Sequence, residues 1–158
     1  MLRPSSVDIE WDTGDFISQL TREVALKFIE HVSSAGELLV IIIRKNYRPD
    51  ETVFITSPEL KQQVGFVVYP VGGEIERHSH RPIKREIEGT SEVLVVLQGR
   101  CLIDIYDNSD SLVKTCELEQ DDIMIMVGGG HGFRMLEDTV FLEVKQGPFV
   151  MEDEKRLF

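Results

Sequence analysis

The chain has 158 residues, enough for one domain that buries a core without disulfides or a structural metal. It contains 28 acidic and 17 basic residues, and its formal net charge is -11. A chain this acidic repels the phosphate backbone of nucleic acid and the surface of anionic lipids, so nucleic acid and membranes are excluded as expected partners.

Residues 1–37 are interpreted as an N-terminal segment built around one helix. Between residues 15 and 32 the apolar positions recur at a spacing of four, which is typical of one face of an amphipathic helix. These positions are Phe16, Leu20, Val24, Phe28 and Val32. His31 falls on this predicted helix and is expected to be structural or exposed to solvent. The start of the chain lacks the apolar stretch of a secretory signal, and the longest apolar run, LLVIII at residues 38–43, is too short to cross a bilayer. We therefore expect a cytoplasmic protein.

Residues 38–158 are interpreted as a single, mainly all-β domain that ends in a short tail. After the run ELLVIIIRKN, strand-like stretches follow one another at close spacing between short turn-forming clusters. The stretches are TVFIT, QQVGFVVYPV, GEIERHSH, SEVLVVLQG, RCLIDIYDN, SLVKTCEL, DDIMIMV, HGFRML and TVFLEVKQG. Many short strands of this kind predict a β-sandwich or a small barrel. Cys101 and Cys116 are expected to be reduced thiols, and the charged tail MEDEKRLF is expected to be a solvated end.

Three of the four histidines stand out as candidate metal ligands. His78 and His80 would point to the same side of an extended strand, and Glu92 begins the next apolar strand. His131 lies among four glycines that free its backbone and leave space around its ring. Three imidazoles and one carboxylate suit one divalent Fe, Mn, Ni or Zn ion per chain and leave positions open for water or substrate. The alternative is an edge strand with two exposed imidazoles.

The spacing of these residues resembles the two motifs of the cupin superfamily. The first motif resembles the stretch from Gly72 to Gly99, and the second resembles the stretch from Gln120 to His131. The resemblance covers residues 38–147 and implies a double-stranded β-helix or jelly-roll barrel, here preceded by the N-terminal helix. It also implies the metal ligands, which are His78, His80, Glu92 and His131. HSHRPIKREIEGTSEVL, GGGHGF and EVKQGPF resemble small single-domain cupin metalloproteins of polysaccharide and nucleotide-sugar gene clusters.

The sequence departs from these motifs at several positions. Eleven residues separate His80 from Glu92, where the common motif has only a few, so this stretch must loop out. Glu86 is therefore an alternative carboxylate ligand, although the spacing to Gly99 favours Glu92. In the second motif, the usual glycine, proline and asparagine are replaced by Gln120, Met126 and Met135.

Basic residues cluster beside the predicted ion. They are Arg77, Arg81, Lys84 and Arg85, with Arg134 following the His131 loop. Guanidinium groups bind carboxylates and phosphates through two hydrogen bonds, so we expect a small anionic ligand such as a sugar phosphate, nucleotide sugar or keto acid. The alternative is that these cations pair with neighbouring glutamates on the surface.

Three functions remain open from the sequence. The first is metal-assisted isomerisation or epimerisation of a sugar derivative, with a base among Glu86, Tyr69, Tyr106 and Lys145. The second is an Fe(II)-dependent oxygenase, and the third is a non-catalytic module that binds a small ligand. LLVIIIRKN and FVVYPV are apolar on both faces, which predicts cover from a second subunit and hence a homodimer.

Overall fold

The computed structural model describes residues 27–148 and 155–158, and this part of the chain is mostly β-structure. All strand pairs are antiparallel. In chain order the strands are β1 (Ile29–Ser34), β2 (Glu37–Ile43), β3 (Val53–Phe54), β4 (Gly65–Phe66), β5 (Glu92–Gln98), β6 (Arg100–Tyr106), β7 (Leu112–Glu119), β8 (Ile123–Met126), β9 (Gly130–Met135) and β10 (Val140–Lys145).

The strands form two larger sheets and one short hairpin. The five-stranded sheet has the order β1-β2-β8-β5-β10, and the three-stranded sheet has the order β7-β6-β9. The short hairpin pairs β3 with β4. Residues of both larger sheets share one apolar core, to which β6 contributes the fully buried side chains of Cys101, Ile103 and Ile105. Burying a side chain as large as isoleucine contributes about 1.5–3 kcal/mol.

A second core lies on the other face of the five-stranded sheet. Ile41, Ile43 and Val93 belong to it, and the region of the short hairpin covers them with Val53 and Phe66, among others. Both faces of β2 are therefore buried by this chain alone. This explains the apolar run LLVIII, whose second face was expected to need another subunit.

The edges of the two larger sheets meet on both sides of the sandwich. On one side, Glu30 of β1 contacts Lys114 of β7. On the other side, the rings of Phe133 on β9 and Phe141 on β10 lie 5.3 Å apart. The candidate site lies on this second side.

The predicted helix is wrong over residues 29–32. Lys27 and Phe28 are helical, but Ile29–Ser34 is strand β1, and residues 15–26 lie outside the described residues. Ile29 and Val32 have the spacing of a helix face, yet in the strand they enter the two different cores. The hairpin of β1 and β2 spans residue 37, where the sequence placed the end of the N-terminal segment.

The prediction of a mainly all-β chain is confirmed, but its finer details are not. The described strands form separate sheets and do not close into a barrel. The predicted strand GEIERHSH is wrong, because no strand is found between residues 67 and 91. Within the described ranges, no helix has the length and apolar character needed to cross a bilayer.

Candidate functional site

Glu92 and His131 meet in the space between the two larger sheets. Glu92 begins β5 and faces the core shared by these sheets, because Leu94 lies two residues further on and belongs to that core. His131 on β9 is paired with Ile105, which is fully buried in the same core. The Glu92 side chain is only 10% exposed, and its Oε2 lies 3.4 Å from His131 Nε2. The carboxylate of one motif thus faces the imidazole of the other.

The surroundings of His131 favour the neutral form of its imidazole. Burial lowers the pKa of His131, and the positive charge of Lys155 acts in the same direction, while Glu92 and Glu143 oppose this change. The ring of Phe133 lies edge-on to the imidazole at 5.4 Å. A neutral imidazole is the form that binds a metal ion or accepts a hydrogen bond.

Two charged residues of β10 join the rim of this site. Lys145 is the direct partner of Glu92 in the register of β10 and β5. Lys145 Nζ lies 3.3 Å from Glu143 Oε1, and both side chains share the face of Phe141, which packs against the shared core. The sequence pattern indicates Lys145 only as one of four candidate bases and does not indicate Glu143. The available sequence signal was that Phe141, Glu143 and Lys145 are two residues apart, which places them on one face of a strand.

His78 and His80 lie together on an exposed segment. Their ring centroids are 5.3 Å apart, and His78 Nδ1 lies 2.8 Å from the carbonyl oxygen of Glu76. The two imidazoles are neighbours, as expected, although no strand carries them.

The four predicted metal ligands therefore form two pairs. Among the described residues, no group of three or more histidine, cysteine, aspartate or glutamate side chains is arranged to hold a metal ion. Each pair nevertheless consists of suitable donors, a carboxylate with a neutral imidazole in one and two imidazoles in the other. These donor types suit a divalent transition metal. Each pair could supply two of the four protein ligands of such an ion.

The alternative carboxylate ligand, Glu86, lies away from the interior. Its side chain is 87% exposed and pairs with Lys84 at 3.1 Å. The carboxylate that contacts His131 is that of Glu92.

The predicted anion-binding arginines do not line the space between the sheets. Arg134 is paired with Leu102, on the opposite face of β9 from His131, and its guanidinium lies 3.6 Å from Asp104 Oδ2. The other three lie on the exposed segment and are Arg77, Arg81 and Arg85. Of the four predicted bases, Tyr69 is exposed and Tyr106 packs against Phe158. Lys145 is the one placed beside Glu92.

The glycine run before His131 positions β9. The backbone NH groups of Val127 and Gly128 donate to the carbonyl oxygen of Leu39, at 2.9 and 3.2 Å. Gly129 has a φ of 69°, and a Cβ there would collide with the carbonyl oxygen of Tyr106. Glycine is required at this position because the chain turns where it approaches the end of β6.

Residues 155–158 are exposed, as expected of a solvated end, and two of them also contact the three-stranded sheet and its β6–β7 turn. Arg156 donates two hydrogen bonds to Asp110, at 2.6 and 3.0 Å. The ring of Phe158 lies edge-on to Tyr106 at 5.1 Å and also covers Gly130, the residue before His131. Residues 155–158, called the C-terminal tail below, therefore lie beside the candidate site.

Comparison with known proteins supplies no relative from which a function can be transferred. No family model matches the chain, and no curated protein and no solved structure matches it either. Function is therefore inferred from the site itself.

Proposed function

We propose that this protein is a cupin-type, metal-binding protein of jelly-roll architecture that acts on a small anionic molecule. The single observation that carries the proposal is the inward-facing pair of Glu92 and His131, 3.4 Å apart. Two antiparallel sheets around one core are consistent with a jelly roll. A buried carboxylate beside a neutral imidazole provides donors for a transition metal.

In this proposal one Fe, Mn, Ni or Zn ion per chain is held by Glu92 and His131 together with His78 and His80. The bound ion supplies a Lewis acid that polarises a carbonyl or hydroxyl oxygen of the ligand. His131 offers a neutral nitrogen, because burial disfavours its protonated form.

The remaining residues of the site bind and orient the ligand. Lys145 offers an ammonium group beside Glu92, which suits a carboxylate or phosphate of a sugar derivative or keto acid. Glu143 holds the Lys145 ammonium at 3.3 Å. Phe133 and Phe141 form an apolar wall that limits water on the side of β9 and β10. Isomerisation or epimerisation would need a base that takes a proton from the carbon next to the ligand's carbonyl and returns it at a different position. Lys145 would do this only from its neutral amine form, which becomes the ammonium when it takes the proton.

A non-catalytic binding module is the second candidate. It is favoured by the separation of the donors into two pairs within the described residues. Such a module would hold the same anion without turnover. The third candidate is an Fe(II) oxygenase. It would differ from the other two because it consumes dioxygen when Fe(II) and the ligand are present together.

The proposal is tested by metal content. Wild type and the Glu92→Gln, His131→Gln and His78→Ala/His80→Ala variants are purified without oxygen, and bound metal is measured by mass spectrometry. We expect nearly one ion per chain in wild type and loss of the ion in each of the three variants. His31→Ala is the matched control, because His31 lies exposed on β1. A His131→Gln protein that keeps its metal contradicts the proposal.

A further inference from the structure

Residues 71–90, called the arm below, project from the body of the protein. Every residue of the arm is exposed. Its hydrogen bonds and ion pair with other described residues are all local, linking Gly73 to Pro70, His78 to Glu76, and Lys84 to Glu86. Within the described part of the chain, the arm therefore has no polar contact with either larger sheet.

Both ends of the arm are fixed to the body. Before the arm, the NH of Val68 donates to Thr52 Oγ1 at 3.0 Å. After it, the NH of Ser91 donates to Gln146 Oε1 at 2.8 Å, which ties the start of β5 to the end of β10. The arm is thus a long loop whose two ends are held to the body by hydrogen bonds.

The arm exposes apolar side chains that a free surface segment would not be expected to carry. They are Val71, Ile75, Ile83 and Ile87. Four large apolar side chains along one exposed segment supply apolar surface that a partner can cover. A partner that covers them would remove this apolar surface from water.

The central stretch of the arm is basic, although the arm as a whole is neutral because four glutamates flank this stretch, namely Glu74, Glu76, Glu86 and Glu88. The nine residues from Arg77 to Arg85 contain four basic residues and no acidic one. The rest of the chain thus has 13 basic residues against all 28 acidic residues. The acidic body of a second copy of this chain is therefore electrostatically complementary to this central stretch.

The body offers a matching surface at the edge of the five-stranded sheet. Among the described strands, β10 is at the edge of its sheet, and it exposes Leu142 and Val144 on the same face as Leu97 of β5. An exposed edge strand can pair with an extended segment of another chain. The same strand carries Lys145, the register partner of Glu92, so a segment lying along β10 reaches the rim of the candidate site.

We infer that two copies exchange arms, so that the arm of one copy lies along β10 of the other and its His78 and His80 complete the site formed by Glu92 and His131 of that other copy. This inference rests on the metal-binding function proposed above. It goes further by placing the two donor pairs of each site on different subunits. The single chain then has two half-sites, and the dimer has two complete sites.

A heterodimer of two variants tests this arrangement. One chain carries His78→Ala/His80→Ala and the other carries Glu92→Gln/His131→Gln, with a different affinity tag on each chain. The chains are expressed together, purified through both tags and loaded with the ion that wild type retains, Mn²⁺ or Zn²⁺. If sites form between subunits, one of the two sites is intact, and the heterodimer binds about half the wild-type metal per chain. If sites form within one chain, it binds none.

The matched control places all four substitutions on one chain and pairs that chain with wild type. Exchange between subunits then leaves no intact site, whereas sites within one chain leave the wild-type half intact. The expected results are metal in the first heterodimer and none in the second, and the reverse pattern overturns the inference. His131→Gln replaces the Glu92→Gln/His131→Gln pair if that double variant does not fold.

The arm's role in assembly has its own measurement. Replacing Ile75, Ile83 and Ile87 by serine is expected to convert the dimer to a monomer in analytical ultracentrifugation and to remove the metal. Leu112→Ser, at an exposed apolar position on β7, is the control and is expected to leave the dimer intact. A wild-type monomer that binds metal overturns the arm exchange while leaving the proposed function standing. A wild-type dimer without metal overturns both.

Discussion

Phe158 packs so closely on Gly130 that a Cβ built at Gly130 would stand 2.8 Å from the Phe158 ring. The other near atoms around that Cβ are a second Phe158 ring atom and Tyr106 Cβ at 3.7 Å. Alanine at position 130 would therefore disturb mainly the C-terminal tail. The tail and the strand of His131 are thus in direct contact.

We predict that Gly130→Ala displaces the tail and raises the rate of tryptic cleavage after Lys155 and Arg156 several-fold. The physical reason is loss of the Phe158 ring contact with Tyr106, since an aromatic pair contributes about 0.5–1.5 kcal/mol. Phe158→Ala should have a similar effect, and adding Gly130→Ala to it should change nothing further. Gly132→Ala is the control, because no atom lies within 4 Å of a Cβ there. Equal cleavage of wild type and Gly130→Ala would refute the prediction.

A second prediction concerns stability. Asp122 is only 1% exposed and accepts hydrogen bonds from Arg44 Nη1 at 2.8 Å and the backbone NH of Lys45 at 2.9 Å. Asp122→Ala leaves the backbone NH of Lys45 without this acceptor, while Arg44 Nη1 keeps its hydrogen bond to the carbonyl oxygen of Glu117 at 2.8 Å. The substitution is therefore expected to lower the free energy of unfolding by about 1–3 kcal/mol. Urea denaturation measures the change. The exposed pair of Glu119 and Lys45 provides the control, since Glu119→Ala should cost less than about 1 kcal/mol.

A third prediction concerns pH. Burial raises the pKa of Glu30, but its contacts with Lys114 and Arg44 outweigh this and hold the pKa below its usual value of 4.5. The unfolded chain then binds more protons than the folded chain in acid. The stabilisation from Glu30 is therefore present above pH 4.5 and is lost as the pH falls through the folded pKa.

The difference in unfolding free energy between wild type and Glu30→Gln should shrink as the pH falls below 4.5. Because Glu30 is partly exposed, the whole effect should be no more than about 1 kcal/mol. Thermal or urea unfolding at a series of pH values measures it. A difference that stays constant down to strongly acidic pH would show that Glu30 does not carry the effect.

A fourth prediction concerns the anion. Lys145→Gln removes the ammonium group beside Glu92 and is expected to weaken binding of pyruvate or inorganic phosphate by about tenfold or more, because a charged hydrogen bond contributes about 1.5–3 kcal/mol. Isothermal titration calorimetry of the metal-loaded protein measures the affinity. Arg134→Gln is the control, since Arg134 faces Asp104 on the other side of β9. A larger loss with Arg134→Gln would place the anion on the outer face.

The sequence predicted the parts of the fold that follow from local alternation. Strands β5 to β8 could be predicted because their apolar residues alternate with polar ones or form continuous runs, as expected of strands with one or both faces buried. The spacing of Glu92 and His131 from nearby glycines also singled out two residues that lie 3.4 Å apart in the structure. The helix over residues 29–32 failed because apolar residues three apart fit a helix face and also fit a strand buried on both sides.

The contacts missed by sequence reasoning depend on distant parts of the chain. Arg156 and Asp110 are 46 residues apart, and no local pattern predicts their pairing. The second core could not be predicted either, because its cover comes from β3 and β4, each only two residues long. Strands this short leave almost no periodic signal.

The geometry at Gly129 also determines which substitutions are tolerated near the candidate site. Position 129 combines a φ of 69° with a carbonyl oxygen in the space a side chain would occupy, so neither a rotamer change nor a small shift of a neighbour relieves the clash. Position 132 has free space, and position 130 needs only a ring to move. In a library that places every amino acid at these three positions, we therefore expect position 129 to tolerate the fewest substitutions, position 130 more, and position 132 the most. The three positions differ in this way because their surroundings differ, although all three are glycine.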